Sequence, residues 1–407
     1  MIRLGPLRHR AYRLVWLGRA TSSFGDRLIF IAFAFAVIHV GGKATDLGLI
    51  LAAGTVVRIV LLLAGGVWAD RLPRQLVMLT ADGVRGAVEL GLALLLITGN
   101  ATLWQLTAGY VLHSAAASFF GPASDGLVPQ LVPKEEIQQA NALLELTQNA
   151  PAIFGPALSG LLIAVFHNTG WVFLIDAVTF GVSAVCLALV RLPPREPREQ
   201  ESFFRELVTG WRAVRERDWY WQNLISHALW NFGFPFFQVL GPIIATQHLG
   251  GAKSWGYISG ASGLGYVLGS ILVLRWKPAR PLIVGNLGLV LGGVPLLLLA
   301  KPTGTWPIAV ALFGSSFGLA LLNTLWWSVV QARIPDEVLS RVSSWDWLIS
   351  LVINPVGLAV AGPIASVVGF RTALIVAAAV VAVPNALVCL LPSVRRVERD
   401  AAPLPAT

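Results

Sequence analysis

Charge is what this sequence has least of. Only 13% of its 407 residues are Asp, Glu, Lys or Arg, about half the share of roughly 25% usual in soluble globular proteins. With 56% hydrophobic residues and a mean hydropathy of +0.71, water is not its main solvent. Cysteine is almost missing: Cys186 and Cys389 exclude a disulfide framework and every multi-cysteine metal site. Both lie in long apolar runs, where a thiol ordinarily acts as a small buried hydrophobe. The six histidines fall in no HExxH or comparable ligand spacing, so neither a metal nor any other cofactor is expected. A GxxxxGK[ST] phosphate loop is missing too, as is a convergent nucleophile set, so ATP drive and enzymatic chemistry are set aside. The basic start, MIRLGPLRHRAYRLVW, leads into an apolar stretch too long for a signal peptide.

What is present is a series of long apolar runs. A bilayer core of about 30 Å takes roughly 20 apolar residues per helix. Such runs fall at 13–38, 46–69, 76–98, 102–125, 140–166 and 170–191, then at 222–247, 254–274, 281–300, 305–330, 344–367 and 370–391. The short connections around Gly41-Gly42, Gly99-Asn100, Asn168 to Gly170, Gly250-Gly251, Pro302 to Gly304 and Gly369 require antiparallel neighbours. The fold class predicted is an all-α integral membrane protein of twelve transmembrane helices.

Basic residues set the orientation. With the N-terminus in the cytoplasm, 22 of the 30 Lys and Arg fall on the inner side. Lys43, Lys253, Lys301 and Arg371 fall outside, and Arg19, Arg27, Arg58 and Arg85 within spans. That asymmetry follows the positive-inside rule and places both termini in the cytoplasm of a multi-pass protein of the plasma or inner membrane. The net charge of +9 is therefore topology. No basic stripe with interleaved aromatics remains to bind nucleic acid.

The chain repeats itself. HVGGKATDLG from His39 matches HLGGAKSWG from His248, Phe24-Gly25 matches Phe232-Gly233, and Gly155-Pro156 matches Gly362-Pro363, all at offsets near 207 to 209. Six helices are followed by six more in the same orientation, two parallel pseudo-repeats able to rock about a site where they meet. The boundaries predicted are an N-terminal bundle over 1–191, a cytoplasmic linker over 192–220, a C-terminal bundle over 221–392 and a cytoplasmic tail over 393–407. In the linker, Phe203, Phe204, Leu207, Trp211 and Val214 recur at helical spacing opposite arginines, the pattern of an amphipathic helix on the membrane surface.

GVWADRLPRQ, Gly66 to Gln75, closes the second span. Its small residue permits close helix approach and its charges suit a conformational latch. NAPAIFGPALSG, Asn149 to Gly160, places Gly155 and Pro156 in the fifth span, where they can kink and thin a helix; Gly362 and Pro363 repeat the pair in the eleventh. The first motif resembles the G-x-x-x-D-R-x-x-R-[RK] signature of the major facilitator superfamily, with Gly66, Asp70, Arg71 and Arg74 matching and Gln75 departing from it. The second resembles the Gly-Pro motif of that family's exporters, with Ser159 in place of a glycine. SSFGD, ADGVRG, FFGPASDGLVPQLVP, the ANAL at Ala140 and FLIDAVTF resemble the branch holding enterobactin-type siderophore exporters and macrolide efflux proteins. The resemblance implies the facilitator fold, and for Asp70 a role in capping a helix of the opposite half.

Charges inside spans need a partner, a wet cavity or a function. Asp26 sits midway along the first span, with Arg19 two turns earlier and Arg27 adjacent. An acid balanced between burial and a nearby cation can load and release a proton, so Asp26, Arg19 and Arg27 are proton-coupling candidates; a structural ion pair is the alternative. Glu145 and Asp346, at roughly equivalent repeat positions, join them, with solvated helix-start charges as the alternative. Asp82, Arg85 and Glu89 can neutralise one another along one helix face and read as structural, as does Asp176.

The seventh span, SHALWNFGFPFFQVLGP, is broken and aromatic. Trp230, Asn231, Phe234, Phe237 and Gln238, together with Phe30, Phe33, His113, Asn149, His227, Asn323, Trp326 and Trp327, are candidates for lining a substrate cavity. Belt or lipid-facing aromatics are the alternative. Together these features point to a secondary transporter, an exporter of a hydrophobic or amphipathic small molecule such as a drug, macrolide or siderophore, in exchange for protons and acting as a monomer in the bilayer. An importer of a small solute shares the same fold and stays open.

Overall fold

A computed structural model describes residues 5–71, 73–190, 214–276, 278–334 and 336–398. The side chains of 62–71 and of some helix positions, Glu145 and Asn149 among them, lie outside that description. So do residues 192–213 of the linker and 399–407 of the tail.

The regular structure of the described residues is all helix, with no strand among them. The first half runs α1 (Arg10–His39), α2 (Ala44–Arg71), α3 (Arg74–Ile97), α4 (Leu103–Leu127), α5 (Ile137–Asn149), α6 (Pro151–Phe166) and α7 (Gly170–Ala188). The second runs α8 (Asp218–Gly233), α9 (Pro235–Ile244), α10 (Ala252–Arg275), α11 (Pro281–Val290), α12 (Gly293–Ala300), α13 (Thr305–Arg333), α14 (Asp336–Val368) and α15 (Phe370–Val388). The predicted spans are all met by helix. Three of them are split in two, because Pro151, Pro235 and the Gly292-Gly293 pair each start a new helix. Proline lacks the N–H that continues the ladder, but its missing donor costs nothing in a first turn.

Pro156 and Pro363, by contrast, stay inside continuous helices. The interruption of the fifth span falls at Ala150, between α5 and α6. The turn signals hold: Gly41, Gly99, Gly250, Gly304 and Gly369 all take positive φ, which only glycine adopts without a Cβ penalty.

Among the described residues, nine helical stretches are long and apolar enough to cross a membrane. α3 stands outside that set and carries Asp82, Arg85 and Glu89, all three buried. The chain clusters into two compact units, residues 1–199 with Ala252–Gly256, and residues 200–251 with 257–407. In unit 1, α1 packs on α6 and α7, and α3 on α4 and α7. In unit 2, α8 packs on α14 and α15, and α11 on α13 and α15.

The repeat is visible inside each unit. Tyr12 donates its hydroxyl to the Ala140 carbonyl at 2.7 Å, and Tyr220 donates to Val342 at 3.2 Å. Gly155 lets α6 rest on Arg27, and Gly357 lets α14 rest on Phe232 and Pro235. This corrects the register read from the dipeptides: the partner of Gly155 in the second half is Gly357, five residues before Gly362. Packing against the first span defines the equivalence, and the identity of the neighbouring proline does not.

Candidate functional site

Two places in the molecule collect polar groups, one in each unit. In unit 1, α3 places Asp82, Arg85 and Glu89 at i, i+3 and i+7, one face aimed inward. Arg85 pairs with Asp82, whose other oxygen accepts from the Ser183 hydroxyl of α7 at 2.5 Å. The guanidinium lies between the rings of Phe120 and Phe180, 4.7 and 4.4 Å from their centroids, a cation held by two aromatic faces.

Asp26 of α1 reaches this group. Its carboxylate is 3.8 Å from Arg85 Nη1 and 3.7 Å from His113 Nε2 of α4. The other ring nitrogen, Nδ1, lies 2.9 Å from Glu89 Oε1, near enough for an ion pair though not aligned as a hydrogen bond. Asp176 of α7 is buried, and its Oδ1 accepts from the Thr179 hydroxyl at 3.0 Å. Its carboxyl fills the space beside Gly25, where a Cβ would lie 1.9 Å from Oδ1.

Several sequence expectations change here. Among the described residues, Asp26 approaches Arg85 and His113, on helices α3 and α4. Arg27 is exposed, with its Cβ against Gly155, and Arg19 is partly buried. Arg27 points about 100° away from Asp26 around the helix, and Arg19, two turns back on the same face, is about 10 Å away along the axis. Asp82, Arg85 and Glu89 do not simply neutralise one another: Arg85 takes Asp82 and approaches Asp26, while Glu89 turns to His113. Phe33 is packed in the core against Tyr110 and Phe173 and is therefore no cavity wall, and Phe30 is exposed.

Of the latch residues, Gly66, Asp70 and Arg71 have side chains outside the described residues, and Arg74 opens α3. Gln75, the departure from the motif, donates to the carbonyls of Leu187 and Val190, both at 2.6 Å, and so closes the end of α7.

In unit 2 a cavity of about 710 Å³ is lined by His227, Trp230, Asn231, Asn323, Trp326, Trp327 and Asp346, with Tyr266 and Gln331. Six of the predicted cavity residues and one predicted proton-coupling acid thus share one wall. Trp326 donates its indole N–H to Asp346 at 3.0 Å and packs edge-on against His227, their centroids 5.0 Å apart. Asn323 donates to the Tyr266 hydroxyl at 3.2 Å. Trp230 stacks on Phe234, which stacks on Phe237 in turn; Phe237 is buried and Gln238 partly so.

Beneath this wall runs an amide network that sequence reading missed. Asn286 of α11 donates to Asn223 of α8 at 2.6 Å, and Asn385 of α15 donates to the Ser226 carbonyl at 3.4 Å. Three buried asparagines at the middle of apolar runs were the available signal.

Residues 15–352 match the profile of the Major Facilitator Superfamily, and the chain belongs to that family. Macrolide efflux protein A of Streptococcus pyogenes is 24% identical over 363 residues, covering 87% of this chain and 89% of that protein. The enterobactin exporter EntS of Escherichia coli O1:K1 / APEC is 26% identical over 345 residues, covering 82% and 80%. Among solved structures, a bacterial homologue of the iron transporter ferroportin in an inward-facing state superposes with a TM-score of 0.72 at 17% identity, covering 95% of this chain and 99% of that one. The nucleoside transporter NupG superposes at 0.68 with 12% identity, covering 94% and 98%. The chain is a multi-pass membrane transporter of the facilitator class and not an enzyme.

Proposed function

We propose that this transporter exports a hydrophobic or amphipathic small molecule from the cell in exchange for protons, with Asp26 as the proton-loading residue. The observation that carries the reading is the charge balance of unit 1. Asp26 and Asp82 reach Arg85, Asp26 and Glu89 reach His113, and Asp176 is buried against Gly25 of the same α1, so that four acids from three helices gather around one arginine and one histidine. An unbalanced charge in the membrane costs about 2.5–3.5 kcal/mol on insertion scales, so the cluster reaches neutrality by taking up protons. Asp26, its side chain 40% exposed against 0% for Asp82 and 4% for Glu89, is the more accessible acid and is assigned the exchange of protons.

The efflux proteins among the relatives support the outward direction. The aromatic cavity of unit 2 supports a bulky, amphipathic substrate, with Asp346, Asn231 and Asn323 as its polar anchors. In this reading the protein sits in the plasma membrane as a monomer with both termini in the cytoplasm. The segment 192–220 tethers bundles 1–191 and 221–392, and Asp70, Arg71 and Arg74 latch one conformation.

Inverted membrane vesicles with an imposed proton gradient test it. Macrolides, lipophilic cations and siderophores are added singly while internal pH is read. Wild type is expected to release protons in response to at least one compound, and Asp26→Asn to lower that flux about 100-fold while exchange of labelled compound persists. A labelled solute that exchanges in both proteins without any proton movement would replace this reading with a facilitative one.

A further inference from the structure

We propose that His113 is a proton shuttle between Asp26 and Glu89, which makes Glu89 a second proton-holding residue of unit 1. The inference rests on the proton-coupled reading and adds to it a route and a store. Side-chain exposure falls along the line from 40% at Asp26 to 16% at His113 and 4% at Glu89. A proton entering at the first has one titratable ring between it and the last.

The geometry separates this arrangement from a static ion network. Arg85 is committed to Asp82 and clamped between Phe120 and Phe180, and its second contact is to Asp26. No ion pair joins it to Glu89 among the described residues. Glu89 Oε2 is buried with no hydrogen-bond partner among them. A permanently ionised Glu89 thus lacks both a fixed counter-cation and a donor for one oxygen, and the group placed to hand it a neutralising proton is the His113 ring.

The groups facing the ring are few. α1 contributes Asp26, α3 contributes Arg85 and Glu89 with Asp82 behind them, and α7 contributes Asp176 beside Phe180, whose ring meets the imidazole edge-on at 5.8 Å. Arg58 of α2 is exposed, and Tyr110 lies one turn earlier on the same helix.

Imidazole is suited to the task because its two nitrogens accept and donate on opposite edges. The protonated Asp26 carboxyl gives its proton to Nε2 while the proton on Nδ1 passes to the Glu89 carboxylate. The O–H bond at Asp26 and the N–H bond at Nδ1 break; an N–H bond at Nε2 and an O–H bond at Glu89 form. The ring stays neutral and ends in the other tautomer, and the negative charge moves from Glu89 to Asp26, beside Arg85. Return of the proton along the same path resets it. A small rotation of the ring aligns Nδ1 with Glu89, already 2.9 Å away, and the 3.7 Å gap at Nε2 closes with the same movement or one bridging water.

Rapid-scan infrared spectroscopy on the full chain in phosphatidylcholine vesicles tests the relay without any substrate. The protonated-carboxyl C=O band of Glu89 is assigned by its loss in Glu89→Gln, and its rise is followed after a jump from alkaline to mildly acidic pH. His113→Asn, His113→Gln and Asp26→Asn are each expected to slow that rise about 100-fold, the two histidine variants keeping a polar side chain of similar size. An unchanged rate in any variant that folds, or no titrating Glu89 band in wild type, overturns the proposal. The export reading fails separately: a wild-type relay that is intact by infrared, with no compound moving protons in inverted vesicles, leaves the shuttle standing and removes the antiport.

Discussion

The two six-helix units solve the same packing problem with different chemistry at matching positions. Where Asp82 of α3 meets Ser183 of α7, the second half has Asn286 of α11 and Asn385 of α15. Gly18, which approaches Ser183, has its counterpart in Ser226, which accepts from Asn385. Unit 1 therefore holds carboxylates around Arg85 and His113, whereas the matching positions of unit 2 hold amides, which do not titrate. The aromatic cavity, with Asp346 in its lining, belongs to unit 2. A duplicated scaffold has kept its helix contacts and varied its polar interior, and under the proposed function the first part responds to protons and the second offers the binding wall.

The sharpest break in that comparison is to remove charge from one centre and an amide from the other. Asp82→Asn takes from the buried Arg85 guanidinium its close carboxylate, leaving Asp26 at 3.8 Å, and losing one partner of a buried pair costs about 3–5 kcal/mol. Asn286→Leu takes the donor from the Asn223 amide oxygen and removes a neutral partner, at a cost of about 1–3 kcal/mol. Thermal unfolding in detergent, followed by tryptophan fluorescence, is expected to rank them in that order. Equal losses mean that Arg85 finds Asp26 as a substitute partner, and that the charged centre is more plastic than its geometry suggests.

Close packing of the first span gives the next contrast. A Cβ on Gly25 lands 1.9 Å from Asp176 Oδ1, while one on Gly233 lands 2.8 Å from a Val381 methyl and 3.0 Å from the Ala377 carbonyl. Overpacking costs about 1–3 kcal/mol, and more where nothing yields. Gly25→Ala is expected to lose transport and stability together by displacing the Asp176 carboxyl, and Gly233→Ala to lose about 1 kcal/mol of stability with transport retained. The melting temperature and the exchange rate of each, read on the same preparation, decide it.

How much of this was legible before the structure follows from what each signal measures. Apolar run length and positive-φ glycines are local, so the spans and turns were readable. The aromatic wall was readable as well, because Trp230, Asn231, Asn323, Trp326 and Trp327 stand out as large or polar residues at helical spacing in apolar runs. The charge cluster was only half readable. Each member stands out as a polar residue in an apolar run, but Asp26, Arg85 and His113 sit on three helices, and nothing in the sequence reports how those helices rotate against one another. Phe33 shows the converse error: an aromatic in a first span reads as a wall residue until Tyr110 and Phe173 are seen to enclose it. Gln75 was read as a lost basic residue, and its hold on the end of α7 depends on a contact more than 100 positions away.

A smaller effect separates the two acids assigned to transport. Trp326→Phe removes the indole donor to Asp346 while keeping an aromatic face in the cavity. A hydrogen bond to a charged acceptor is worth about 1.5–3 kcal/mol, and here the loss is shared between the protein and any bound substrate. The half-saturating concentration for export is expected to rise several-fold with proton release per molecule unchanged. Asp26→Asn is expected to do the reverse, sparing apparent affinity and abolishing the coupling. If Trp326→Phe alters the proton count, Asp346 titrates during transport, and the division between a proton-responsive unit and a binding unit does not hold.

The smallest effect is the most direct measure of how equal the two halves are. Tyr12 and Tyr220 are both fully buried, and each ties the first helix of its unit to the backbone of the fifth or eleventh span, at 2.7 and 3.2 Å. Removing either hydroxyl leaves a helix carbonyl without its extra donor and is expected to cost about 0.5–1.5 kcal/mol. The shorter bond argues for the larger loss at Tyr12→Phe. Tyr220, however, packs tilted against Trp326 at 5.0 Å and edge-on against Trp219 at 5.5 Å, so its ring is held even without the hydroxyl. The two single variants and the double variant form a cycle whose effects should add within about 0.5 kcal/mol, since residues without shared partners rarely couple. A larger deviation means that strain released in one unit reaches the other, and the halves then share a free energy that their separate polar interiors do not reveal.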